Sequence, residues 1–159
     1  MAIISKASHS ILASTIDDRV LKDLTAEDEL GVVLRAQIHI EASVTEFIET
    51  IVMDPDRLPR LRFQDRVQLA CALGLKGEYF EALKFFGDLR NRFAHKLDTR
   101  LDDATVNELY AKLPRAVKEV TLRLRPGFEA LATRQRFAII VVVLKSILVD
   151  ATDEAVPMG

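Results

Sequence analysis

The sequence is short of the residues that would point to particular chemistries. It holds one cysteine, Cys71, and no tryptophan, and aromatics make up 6% of its 159 residues. A single thiol excludes an intramolecular disulfide and any multi-cysteine zinc site, and this usage fits a reducing, cytoplasmic setting. The three histidines show no paired His or Cys spacing, so neither a metal nor a cofactor is expected. Six glycines and five prolines are too few for a fibrous or low-complexity chain, and no Gly-rich phosphate loop is present. Neither charge sign dominates: Lys and Arg total 22 against 24 Asp and Glu, for a formal net charge of −2. A chain that grips many phosphates usually carries a strongly basic face, so tight, sequence-specific DNA binding is not expected. Long apolar runs are missing too. Phe137 to Leu144 ends at Lys145, well short of the ~20 residues that span a bilayer. The first thirty residues lack the basic and apolar regions of a signal peptide, so no membrane association is expected.

What is present is helical periodicity. Hydrophobic residues form 49% of the sequence and charged residues 29%, and the length matches one domain with one core. No stretch alternates as a strand does, and the pattern predicts an all-α fold, a compact bundle of five to seven helices over residues 1–159. Leu12, Ile16, Val20 and Leu24 mark an N-terminal helix over 8–24, ahead of a core bundle over 25–150 and a polar tail over 151–159. Thr25, with Asp28 three residues on, reads as a capping-box start for a long helix to about Met53. Its inward stripe is Leu30, Val33/Leu34, Ile38, Glu41, Val44/Thr45, Ile48 and Ile51/Val52. Further helices are expected over Phe63 to Leu73, stopped by Gly74, from Lys76-Gly77 to about His95, over Ala104 to Leu113, from Pro114 to Leu124, and over Phe128 to Val149.

The chemistry concentrates in Leu89-Arg-Asn-Arg-Phe-Ala-His95. Arg90 lies seven residues after Leu83 and four after Phe86, which places it in core register. A buried guanidinium cannot neutralise itself and needs a carboxylate or an anionic ligand. Glu41 is the other charge in core register, so the bland reading is a structural Glu41–Arg90 pair between two helices. The bland reading of His95 is a cap on a helix-end carbonyl, favoured there by the dipole. Arg57, Arg60, Arg62, Arg66 and Arg92 form the basic set that could meet RNA phosphates, although a solvated connector explains the first four more simply. The late arginines, Arg115 to Arg136, could offset acidic segments such as Asp102-Asp103 across a subunit interface.

Phe63-Gln-Asp-Arg-Val-Gln-Leu-Ala-Cys-Ala-Leu-Gly-Leu75, followed by Leu89-Arg-Asn-Arg-Phe-Ala-His95, resembles the bacterial MltR family, named for the mannitol operon repressor, over roughly residues 30–115. That resemblance implies an all-helical fold and a role in transcriptional regulation, acting through protein contacts and without a DNA-reading motif. Arg90-Asn91-x-x-x-His95 also resembles the R-x-x-x-x-H motif of the HEPN superfamily, which includes dimeric, metal-independent ribonucleases. On that resemblance Arg90, Asn91 and His95 are the catalytic residues. His95 moves the proton, Arg90 holds the phosphate, and Asn91 orients one of them. One histidine per chain is thin for both acid and base roles, so this reading implies a homodimer that brings two sets together, with RNA as the substrate.

Overall fold

The computed structural model describes residues 20, 21, 24 and 28–156, and these are all-α, with no strand among them. Six helices form a compact bundle: α1 (Glu29–Ile51), α2 (Phe63–Ala72), α3 (Phe80–His95), α4 (Asp103–Lys112), α5 (Arg115–Leu124) and α6 (Thr133–Ala155). Short 3-10 turns at Pro55–Arg57, Gly77–Tyr79 and Phe128–Ala130 link them. Most of the predicted N-terminal helix lies outside the described residues. Val20, Leu21 and Leu24 are helical, and Val20 and Leu24 are buried in the common core.

Helix boundaries follow local chemistry. Helix α1 is capped by Asp28, whose carboxylate accepts the Gly31 N–H at 2.8 Å, so the residue predicted inside the first turn is itself the cap, a role aspartate fills well. Helix α2 ends as Gly74 predicts. Gly74 adopts φ +120°, and bonds from Leu75 N to Ala70 O and from Gly74 N to Cys71 O complete a Schellman turn. The last helix runs past Val149 to Ala155 and buries Thr152, which corrects the predicted polar tail. Thr152 can be buried because its hydroxyl donates to the Leu148 carbonyl at 2.8 Å.

Helix α1 lies against α6, α3 and α2. Glu29, at the start of α1, accepts the Leu101 N–H just before α4. Asp103, at the start of α4, holds Arg136 at the start of α6. The N-termini of α1, α4 and α6 therefore gather at one end of the bundle. Residues 96–102 alone join His95, at the end of α3, to Asp103, at the start of α4, and Leu101 among them is held by Glu29, so α3 runs the opposite way and delivers His95 to the end where α1, α4 and α6 begin.

The inward face of α1 is turned from the one predicted. Val32, Val33, Ala36, Gln37, Ile40, Ser43, Val44, Phe47 and Ile48 are buried, while Leu30, Leu34 and Ile38 are 43%, 37% and 64% exposed. Ala36 and Ser43 share the side of α1 that carries His39, whose Nδ1 lies 3.1 Å from Lys145 Nζ of α6. Small residues there let α1 come close to α6, whose central run from Phe137 to Leu144 is buried almost throughout. Tight packing against a bulky neighbour outweighed the larger side chains on the other edge.

Candidate functional site

Helix α3 carries the RNRFAH segment. Ala82, Leu83, Phe85, Phe86 and Leu89 form its buried face. Beyond Leu89 the residues open outward, and Arg90, Asn91, Arg92, Ala94 and His95 are all exposed. Arg90 is therefore not in the core. It sits at the edge of the buried face, roughly 70° from its centre at about 100° per residue. The guanidinium donates to Asn91 Oδ1 at 3.3 Å. The helix stays regular to His95, where Lys96 N closes on Arg92 O at 3.0 Å. Arg90 and His95 consequently stand about 140° apart around the axis, whereas Asn91 and His95 lie about 40° apart. A single chain does not bring the arginine and the histidine together.

Arg92 has a different job. It forks onto Glu108 of α4 at 3.4 and 3.5 Å and lies over the Phe85 ring with 5.5 Å to the centroid. Its backbone carbonyl accepts the Thr99 hydroxyl at 3.1 Å, so the turn after α3 is tied to α4 through this residue.

The predicted Glu41–Arg90 pair is not formed. Glu41 accepts instead from Arg66 Nη1 at 2.9 Å, and the same nitrogen reaches Thr45 Oγ1 at 3.0 Å. The reason is the rotation of α1, which carries Glu41 away from the core to the edge that faces α2. Both side chains keep partial access to water, 25% for Arg66 and 39% for Glu41, so their coupling is expected to be about 0.5–1 kcal/mol. Chemical denaturation of Arg66→Ala, Glu41→Ala and the double variant measures it. A Glu41/Arg90 cycle run alongside should be additive.

The basic connector divides in the same way. Arg57 pairs with Asp54 at 3.0 Å and Arg66 is engaged with Glu41, while Arg60 and Arg62 are exposed. Beside them is an open cleft of about 290 Å³ in which Ile48, Leu58 and Leu61 meet Thr45, Glu49 and Arg66. Of the five arginines expected to meet RNA, three are therefore held by carboxylates.

One polar cluster was not resolved from sequence. Arg136, at the start of α6, is 11% exposed. It donates from Nη2 to Asp103 at 2.6 Å and from Nη1 to Asn107 at 3.0 Å. Asp103 also accepts the Thr133 hydroxyl. That hydroxyl bond first, with the guanidinium after it, holds the Asp103 carboxyl below the usual carboxylate range. The late arginine expected to offset Asp102-Asp103 across a subunit interface thus does so within one chain. Its sequence mark was an arginine directly before the apolar run at Phe137, where a long stem is buried and its head must be paired. Tyr110 stacks on Phe128 next to this lock, at 5.7 Å, and Lys118 Nζ lies over the Tyr110 ring.

Among the described residues no group of three His, Cys, Asp or Glu side chains could hold a metal ion. None of the described helices is long and apolar enough to cross a membrane. The chain matches no protein-family model, no curated protein and no solved structure.

Proposed function

We propose that this chain is a regulatory interaction module of the MltR type, working through protein contacts in the cytoplasm rather than by reading DNA. The observation that carries this reading is the outward row Leu30, Leu34 and Ile38 on α1. Single exposed apolar residues are ordinary, but three at i, i+4 and i+8 form one continuous strip on a helix, and such strips mark interaction sites. The net charge of −2 argues in the same direction. A mobility-shift titration of the purified chain at moderate salt tests it. The expected result is binding to duplex DNA no tighter than the ~10⁻⁴–10⁻⁶ M of non-specific contacts, whatever the sequence. Nanomolar, sequence-selective binding by the chain alone would overturn it.

A second reading is favoured by the exposure of Arg90, Asn91 and His95 together at one helix end, within reach of a second copy. In a homodimer, His95 of one protomer and Arg90 of the other would form a composite HEPN-type site. The imidazole would move the RNA 2′-hydroxyl proton, and the guanidinium would hold the phosphate and its developing charge. Asn91 would orient one of them. Such cleavage would proceed without a metal ion.

A further inference from the structure

Beside the Arg136 lock lies an open cleft of about 370 Å³, lined by Asp103, Asn107, Tyr110, Phe128, Glu129 and Arg136. Asp103, Asn107 and Tyr110 follow at i, i+4 and i+7, so they form one row about 10 Å long on α4. Arg136 is bonded to Asp103 at one end of that row. Phe128 stacks on Tyr110 at the other, which places Glu129, the next residue, at that end. Both carboxylates keep acceptor capacity. The bonds that Asp103 accepts from Thr133 and Arg136 end on Oδ1, and Oδ2 accepts none from the described residues. Glu129 is exposed and pairs with no described residue. The cations nearby are already engaged or face elsewhere. Arg136 is 11% exposed, with Nη1 on Asn107, Nη2 on Asp103 and Nε buried. Lys118 Nζ donates to the Ala111 carbonyl, and Lys112 stands about 180° from Asp103 around α4.

We propose that this cleft binds an aliphatic diamine, one ammonium on Asp103 Oδ2 and the other on Glu129. Two carboxylates against one guanidinium leave the lining with a net negative charge, and an ammonium brings the donors that open carboxylate oxygens take. An anion would face both carboxylates and find Arg136 already neutralised by Asp103. A monoamine would satisfy only one end of the row. The aromatic wall suits a cation as well, since Lys118 Nζ already lies 5.5 Å from the centroid of the Tyr110 ring. The volume is that of a small-ligand site. A free diamine and two neighbouring lysines of a partner share this chemistry, and the experiment separates them. The inference stands apart from both readings of the RNRFAH segment.

The test titrates a four-carbon diamine, the matching monoamine and a blocked tripeptide with two lysines into the ¹⁵N-labelled full chain at low salt. The expected result is amide shifts centred on Asp103, Asn107, Tyr110 and Glu129, with the diamine binding at least tenfold more tightly than the monoamine. Glu129→Gln should remove that advantage. Glu119→Gln takes the same charge from α5, outside the cleft, and should leave it intact, which sets general attraction to an acidic chain apart. Tighter binding of the diamine than of the tripeptide assigns the cleft to a free ligand, and the reverse order assigns it to a lysine pair on a protein; both keep the site. Equal binding of diamine and monoamine, shifts spread over other acidic surfaces, no shift at millimolar concentration, or indifference to Glu129→Gln would each overturn the inference.

Discussion

Phe137→Ala is expected to lower the unfolding free energy by about 3–5 kcal/mol, the usual range for emptying a buried phenylalanine site. Phe137 is fully buried, and its ring lies 6.1 Å from that of Phe86, tilted by 51°. It joins the first turns of α6 to the middle of α3. The helices around it are held at several other points, so the site cannot collapse fully and the cavity term adds to the lost transfer energy. Leu34→Asp and Ile38→Asp, on the outward row of α1, should by contrast stay within about 0.5 kcal/mol of wild type. Chemical denaturation of the three variants side by side separates the face that holds the fold from the face left open to a partner. A cost of several kcal/mol at Ile38 would mean that the row is structural.

Raising the pH from 10 to 12 is expected to remove about 2 kcal/mol of stability through Tyr79 alone. Burial, then the charges of Glu78 and Glu154, push its phenol up to about 12, against about 10 in the unfolded chain. The folded state therefore holds this proton more tightly. Its contribution is complete below the unfolded value and drains away as the pH climbs through the folded one, because the phenolate can form only at a cost in the native setting. Tyr79→Phe keeps the ring and removes the proton. The difference in stability between wild type and Tyr79→Phe, followed by urea denaturation from pH 9 to 12, should narrow or widen by that amount. A constant difference would show that the phenol titrates alike in both states.

The elements were legible in sequence because their limits are set by local chemistry. Gly74 stops α2 by its backbone freedom, Pro114 stands at the start of α5, and α3 ends at His95 as its pattern indicates. Facing was harder to read. On α1, Leu30, Leu34 and Ile38 look like the inward stripe by size alone. The partner helix α6 is bulky from Phe137 to Leu144, and α1 turns Ala36 and Ser43 towards it with Ile40 and Phe47, which leaves Leu30, Leu34 and Ile38 outward. That rotation of α1 also moved Glu41 from Arg90 to Arg66, a partner 25 residues along the chain rather than on the helix expected. Arg90 lost its core register because periodicity assumes that a neighbour continues alongside, and among the described residues no helix covers Arg90 at the end of α3. Arg136 could be suspected from its place before an apolar run, but the choice of Asp103 as its partner depends on how α4 crosses the start of α6.

The most direct test of whether RNRFAH belongs to a contact surface or to a nuclease is a cleavage assay. Wild type and His95→Ala are incubated with labelled single-stranded RNA and with tRNA in EDTA, since no metal site is at hand among the described residues. The protein-contact account predicts both substrates intact with both proteins, because it gives Arg90 and His95 no part in phosphate chemistry. Cleavage by wild type that His95→Ala abolishes, with unfolding unchanged, would contradict it and establish the composite site.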